Sequence, residues 1–199
     1  MVAVRNADAT RTKLLVVAAQ EMREKGFRAA SLSEIIGKAG ISKGALYHHF
    51  LNKQELGYAV FEEVYQQEYF DCWAGALSNE NPLDGICELL DMMSTNMSEE
   101  DMVVGCPVNS ISQEMSSEDE GFRIRTRDMY GVLKHKIASV LALHKERGGI
   151  CGHVDIDASA MLIVTGFQGM ASMLKAFRDK TVMLEITQGL KAYINSLRK

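Results

Sequence analysis

Little in this 199-residue sequence breaks helices or crosslinks the chain. It contains only two prolines, Pro82 and Pro107, so long segments are free to be helical. Its four cysteines show no CxxC spacing, which favours free thiols over disulfides or a zinc site. No stretch approaches the roughly 18 continuous apolar residues of a membrane span, and the polar N-terminus lacks the apolar segment of a signal peptide. We therefore expect a cytoplasmic protein that does not enter a membrane.

The charge is unevenly distributed along the chain, although the net charge is only −4. Residues 1–55 hold nine Lys/Arg and five Asp/Glu, a net of +4. Residues 56–199 hold thirteen Lys/Arg and twenty-one Asp/Glu, a net of −8. A basic N-terminal segment on an acidic remainder is typical of a chain in which one part meets phosphate groups.

The first fifty residues carry helix signals at short intervals. An apolar stripe at helical spacing predicts a first helix over residues 8–25, ended by Gly26. Ser31 and Glu34 match the S-x-x-E capping box and predict that a second helix begins at Ser31. Ser42 is predicted to cap a third helix that ends near residue 50, and Asn52 to cap a fourth.

The third helix has one apolar and one polar face. Leu46 and Phe50 are four residues apart and predict a buried face. The exposed ridge consists of Lys43, Gly44, Tyr47 and His48. These residues supply a cation, a backbone without a side chain, a phenol and an imidazole. Two short helices joined by a glycine-containing turn predict a helix-turn-helix. A small helical bundle with an ordinary solvated face is the alternative, but this composition is unusual for such a face.

The run AASLSEIIGKAGISKGALYHHFLNKQEL closely resembles the DNA-binding signature of the TetR/AcrR family of transcriptional regulators. The resemblance covers residues from about 10 to 57. The positions that match the family pattern are Gly26-Phe27, Ser31, Ile35, Ala39-Gly40, Lys43-Gly44, Tyr47, Phe50 and Lys53. The family implies a homodimer, a palindromic operator of double-stranded DNA, and release of the DNA when a ligand binds.

The resemblance also implies which residues contact DNA. Carried onto this sequence, the phosphate contacts would be Ser31, Lys43, Tyr47, His48 and Lys53. The residues nearest base edges would be Ser42, Gly44, Ala45 and His48. This division agrees with the general rule that phosphate contacts set affinity and register, while few side chains reach the bases.

The remainder of the chain also predicts only helices. The expected fold is all-α, with about nine helices. A three-helix DNA-binding domain over residues 1–52 precedes a helical ligand-binding and dimerisation domain over residues 53–199. The fourth helix is predicted to run from about Lys53 to Leu77. Because it begins beside the DNA-binding helices and ends in the second domain, it could transmit motion.

A ligand site is predicted in the second domain from its side-chain composition. Ten of the twelve methionines lie after residue 55, and methionine suits a pocket with loose shape requirements. The proposed lining is Phe70, Trp73, Met93, Cys106 and Tyr130, which favours a small apolar inducer. A core filled with methionine explains the same residues equally well.

Cys106 supports a second hypothesis, in which the inducer is an electrophile that reacts with its thiol. It lies at a predicted helix start, where the helix dipole makes a thiol more reactive. Gly105-Cys106 also resembles the start of the sixth helix in several TetR-type sensors, some of which respond to electrophiles or oxidants. A buried inert thiol and an unreactive pocket wall are the alternatives, and the reversible apolar ligand is the version we prefer.

The last two predicted helices, over about 157–177 and 181–197, are candidates for a symmetric dimer interface. The helix predicted over about 157–177 is apolar on nearly every side, so it must be buried on several sides. The proposed interface residues are Met161, Gly166, Gly169, Met170, Met173, Ile186, Leu190 and Ile194. An ordinary core within one chain is the alternative.

Two other classes of protein fit the sequence poorly. An enzyme is not expected, because the chain has no glycine-rich phosphate loop, no GxSxG and no HExxH motif, and no metal or cofactor site is predicted. An architectural DNA-binding or protein-interaction module without a ligand is also disfavoured, because an architectural binder should be basic overall. The sequence therefore predicts a DNA-binding transcriptional regulator, most simply a repressor.

Overall fold

The computed structural model describes residues 2–199, with side chains from Asp8 onward, and helices dominate this range. The elements are α1 Val2–Lys25, α2 Leu32–Ala39, α3 Lys43–His49, α4 Lys53–Val60, a π-helical turn Phe61–Tyr65, α5 Gln66–Ser78, α6 Pro82–Asn96, α7 Glu99–Val104, α8 Pro107–Met115, α9 Glu120–Glu146, α10 Ile156–Phe177 and α11 Lys180–Ser196. One isolated antiparallel bridge joins Ile150 and Arg198. The all-α prediction is confirmed, and the predicted fourth helix corresponds to α4, the π turn and α5 together.

The chain divides into two compact units. Unit 1 comprises Met1–Glu68 and Ser110–Thr126, and unit 2 comprises Tyr69–Asn109 and Arg127–Lys199. Unit 1 therefore extends past the predicted boundary at residue 52 and takes in the end of α8 and the start of α9. Three helical segments, α4 to α5, α8 and α9, contain a division between the units.

Unit 1 is built on the apolar face of α1. Its buried side chains include the stripe predicted for the first helix, together with residues from the other elements: Leu14, Leu15, Ala18, Met22, Phe27, Ile35, Leu46, Phe50, Leu56, Phe61, Ile111, Met115 and Phe122. The rings of Phe27 and Phe122 meet edge to face with centroids 4.8 Å apart. A Cβ atom on Gly57 would lie 2.4 Å from the Phe27 ring, so α4 approaches this ring pair only because residue 57 is glycine.

One expectation for a helix start was wrong, and one helix start was missed. Ser31 occupies the N-cap of α2, but its hydroxyl pairs with that of Ser33 at 2.6 Å, and Glu34 pairs with Lys25. The predicted capping box is therefore absent at this helix. A complete box is present instead at α7, a short helix that the sequence reading missed, where Ser98 and Asp101 satisfy each other's backbone.

One carboxylate is fully buried in unit 1. The side chain of Glu21, on α1, has 0% exposure. Lys25 Nζ lies 2.6 Å from one of its oxygens, and Lys38 Nζ, on α2, lies 2.5 Å from the other. These two ammonium groups hold the pKa of Glu21 at about 2, against the desolvation that would raise it. The carboxylate thus joins α1 to α2 as long as it stays ionised.

We predict that Glu21→Gln destabilises the protein by about 2 kcal/mol at pH 7, because a charge-assisted interaction is lost at a buried site. Since the folded pKa is below the unfolded one, the stabilisation is present above about pH 4.5 and is lost as the pH falls towards 2. Urea unfolding at several pH values measures this. Glu24→Gln, an exposed change on the same helix, is the control, and a deficit that does not shrink in acid would contradict the assignment.

Candidate DNA-binding site

Helix α3 is fixed at both ends and along its buried face. The Ser42 hydroxyl accepts a hydrogen bond from the Ala45 backbone N–H at 3.1 Å, which confirms its predicted capping role. Leu46 is completely buried and Phe50, at the C-cap, is nearly so. The helix is therefore held by its apolar side, and its other side is available to a partner.

The exposed side of α3 carries the predicted ridge. Tyr47 is 43% exposed, and Lys43 Nζ lies 5.8 Å from the centre of its ring. His48 is exposed and packs edge to face on His49. A Cβ atom on Gly44 would meet only Ser42 Oγ, at 3.9 Å, so packing within unit 1 does not require glycine there. A bare backbone at this position suits close approach of another molecule.

Three other predicted DNA-contact residues are less exposed. Ala45 and Ser31 are half-buried. Lys53 is also half-buried; its Nζ donates to the Arg28 carbonyl at 2.9 Å and lies 4.9 Å from the centre of the Phe27 ring. Burial lowers the pKa of Lys53. The ammonium group has three N–H donors, so a phosphate contact by Lys53 would use a donor other than the one bound to the Arg28 carbonyl.

The turn before α2 is held by a residue that the sequence reading missed. The backbone N–H groups of Phe27 and Arg28 both donate to the Glu114 carboxylate at 2.8 Å. Gly26 has φ +83°, and a Cβ there would lie 3.0 Å from Glu114 Oε2. Lys53 binds the carbonyl of the same turn from the other side. A carboxylate on α8 and an ammonium group on α4 therefore fix the turn that leads into the helix-turn-helix.

Helix α4 is held in a similar way by the segment between α8 and α9. The Asp119 carboxylate accepts from the Tyr58 hydroxyl at 2.6 Å and from the Gln54 amide at 3.0 Å. The Arg125 guanidinium lies 3.9 Å from the centre of the Tyr58 ring. No local sequence motif marks these contacts, because their partners are more than sixty residues apart.

The predicted ligand residues lie in unit 2, and four of them contribute to one apolar core. Trp73 is buried and contacts Phe167 with ring centroids 4.5 Å apart and the ring planes inclined at 50°. The other three, Phe70, Met93 and Tyr130, pack partly buried against the same core. Cys106 is half-buried immediately before α8. Two surface clefts of unit 2, of about 250 and 230 Å³, are lined by other residues.

The predicted dimer residues fall into two groups. Met161, Gly169 and Met173 are exposed on α10, whereas Gly166, Ile186 and Leu190 are half-buried. Gly166 is covered by Leu190 of the same chain, since a Cβ there would lie 2.4 Å from Leu190 Cδ2. Met170 and Ile194, each 1% exposed, belong to the core of unit 2. These last two were wrongly included, because their own chain already covers them.

A capped helix with an exposed polar ridge, preceded by a short helix and a left-handed glycine turn at Gly40, is a helix-turn-helix. A helix-turn-helix in a chain that also carries a second, larger helical unit is typical of DNA-binding transcriptional regulators. The family model for bacterial regulatory proteins of the tetR family matches residues 14–60, and that for the tetracyclin repressor-like C-terminal domain matches residues 82–190.

Individual relatives agree with the family models. A curated HTH-type transcriptional regulator of Lactococcus lactis is 29% identical over 184 residues, covering 90% of each chain. The transcriptional regulator AcuR of Cereibacter sphaeroides is 26% identical, covering 82% of this chain and 75% of its own. The crystal structure of a TetR transcriptional regulator from Chloroflexus aurantiacus superimposes with a TM-score of 0.84 at 25% identity, covering 98% of each chain. The chain belongs to the TetR family of DNA-binding transcriptional regulators, which are not enzymes.

We predict that Lys43→Ala weakens DNA binding and reduces the slope of log K against log salt by about 0.9, the contribution of one phosphate contact. The discrimination between DNA sequences should change little, because a phosphate contact carries no base information. Fluorescence anisotropy at several salt concentrations measures both quantities. Lys180→Ala removes an exposed lysine at the start of α11 and is the matched control. An unchanged slope for Lys43→Ala would show that Lys43 does not touch the DNA backbone.

Proposed function

We propose that the protein is a cytoplasmic homodimeric repressor that binds a palindromic operator and is released from it by a small apolar inducer. The observation that carries the dimer is an exposed apolar stripe on α10. The ridge of α3 supports base and phosphate contacts by Lys43, Gly44, Tyr47 and His48, with Ser42 and Ala45 at the helix start. Ser31 and Lys53 would complete the phosphate contacts.

The stripe on α10 is unusually apolar for a free protein surface. Its largest exposed members are Met161, Leu162, Met173 and Phe177, with exposures of 45–62%. Within residues 2–199, α10 is the helix whose length and hydropathy would also suit a membrane span, a test that core helices of soluble proteins pass too. Four large apolar side chains exposed on one helix favour a protein partner, and in this family a second copy of the chain is the natural one.

Gly169 is the most informative position in the stripe. A Cβ atom there would meet no atom of its own chain within 4 Å, so a larger residue fits the monomer. If the stripes of two copies pack together, the same residue would be overpacked. Position 169 therefore separates an interface from a free surface without disturbing the core of unit 2.

We predict that Gly169→Leu shifts the protein towards monomer and weakens operator binding at least tenfold, because one helix-turn-helix alone makes half the contacts. Analytical ultracentrifugation measures the first effect and anisotropy the second. Gly131→Leu is the control, since residue 131 lies in mid-helix on α9 with equally open space.

The operator itself tests the same proposal. DNA selected by the wild-type protein from a random pool should be an inverted repeat, because a twofold dimer presents two copies of α3 to the DNA. A single protected half-site would contradict binding as a dimer, whereas an intact dimer for Gly169→Leu would place the dimer interface elsewhere.

The inducer site is proposed in unit 2, among Phe70, Trp73, Met93, Cys106 and Tyr130. Aromatic and methionine side chains suit an apolar molecule. An inducer can shift the protein off DNA only through a difference in affinity between two conformations. Helix α5 carries Phe70 and Trp73 and is continuous with α4, so its position is the proposed variable.

A covalent inducer is the second version, since Cys106 directly precedes α8, at the positive end of the helix dipole. We predict that Cys106→Ser leaves release by a reversible apolar ligand largely intact and abolishes release by a thiol-reactive compound. The test probe is a quinone, applied to the operator complexes of the wild type, Cys106→Ser and Cys72→Ser, the last removing an exposed thiol. Release of wild type but not of Cys106→Ser would favour the electrophile over the reversible ligand.

A further inference from the structure

Gln168 is the centre of a hydrogen-bond network inside unit 2. Its side-chain oxygen accepts from the Tyr130 hydroxyl at 2.9 Å and from the Asn109 amide at 3.0 Å. Its side-chain nitrogen donates to the Tyr69 hydroxyl at 2.6 Å. Asn109 also donates to the backbone carbonyl of residue 168 and accepts from Ser172. One amide on α10 is thus bonded to three other helices.

These three helices are the ones that contain the divisions between the two units. Tyr69, on α5, is the first residue of unit 2 after Glu68. Asn109, on α8, is the last residue before the chain enters unit 1 again at Ser110. Tyr130, on α9, lies one helical turn beyond Thr126, where that part of unit 1 ends. Gln168 therefore binds each of these three helices within about one helical turn of the residue at which the chain passes from one unit to the other.

The network consists of neutral groups in an apolar setting. Trp73 and Phe167 belong to the adjoining core, and Asn109 is buried. Burial raises the pKa of Tyr69, so its phenol stays protonated at all physiological pH values. A buried polar group that loses its partners is costly, and this cost makes the arrangement of the three helices specific.

We propose that Gln168 is a positioning residue for DNA binding. Its three side-chain bonds hold α5, α8 and α9 in the arrangement of unit 2 that the DNA-bound form of the protein requires. The proposal rests on the dimeric operator binding proposed above. It predicts that loss of these bonds weakens DNA binding although residue 168 lies in unit 2 and belongs to no DNA-contact set.

The first test replaces Gln168 by Met, which keeps the length of the side chain and removes every side-chain hydrogen bond. We expect operator affinity to fall about tenfold, a typical coupling between distant sites, with an unchanged salt slope because no phosphate contact is lost. Ile194→Val is the matched control: it loosens the core of unit 2 at a residue outside the network. Thermal unfolding of both variants shows that the comparison is made between folded proteins.

The second test, Gln168→Glu, separates positioning from mere stability. A protonated carboxyl group can donate to Tyr69 and accept from Tyr130 and Asn109, as the amide does. A carboxylate loses the donated bond to the Tyr69 oxygen and also places a charge among buried neutral groups, which is costly. A carboxyl group among buried neutral partners has a raised pKa, and burial also raises the pKa of the facing Tyr69 phenol, which therefore stays neutral over this range. The affinity of Gln168→Glu relative to wild type should therefore be near one at pH 5 and fall as the pH rises to 8.

The outcomes are distinguishable. If the wild type selects no operator, the proposed function and this inference both fail. If the wild type binds its operator and Gln168→Met binds equally well or more tightly, the inference alone is overturned. An affinity ratio for Gln168→Glu that stays near one from pH 5 to 8 would overturn it as well.

Discussion

The Glu114 carboxylate binds two consecutive backbone N–H groups, those of Phe27 and Arg28. These groups lie in the turn between α1 and α2, so their direction sets how α2 and α3 leave α1. A carboxylate that accepts two backbone N–H bonds is held more strongly than a neutral acceptor would be. Three other features lie at this turn: Gly26 at φ +83°, the hydrogen bond from Lys53 to the Arg28 carbonyl, and the ring pair of Phe27 and Phe122.

Helix α8 connects this interaction to the network around Gln168. It carries Asn109 in unit 2 and Glu114 in unit 1, five residues and about 7.5 Å apart along one helix. The polar contacts of these two side chains hold α8 at Asn109 within unit 2 and at Glu114 within unit 1.

The sequence predicted the local parts of this protein well and the distant ones poorly. The apolar stripe of α1, the Ser42 cap and the exposed ridge of α3 were found because their partners are within four residues. Glu114, Asp119 and Gln168 were missed, since each binds residues far away in sequence. Gln168 did leave one signal, a lone amide within the apolar run of α10, and the sequence reading of that helix passed over it.

The predicted dimer residues also show what hydrophobic periodicity alone cannot predict. Periodicity identified α10 and α11 as apolar helices, but it could not say which side of each helix its own chain covers. Met170 and Met173 are three residues apart, yet the first is buried in unit 2 and the second is exposed. Only the packing of α10 against neighbouring helices decides this, and that packing depends on every other element of the unit.

The π turn at Phe61–Tyr65 has a consequence for building hybrid regulators. A π turn holds one more residue than an α turn, so removing one residue within Phe61–Tyr65 would restore α geometry with little change in the phase of the helix. Removing one residue from α4 instead would change the phase of the following residues by about 100°, and Tyr69 would then point away from Gln168. Replacing residues 1–60 by those of a relative therefore requires that the helical phase between Lys53 and Tyr69 be preserved.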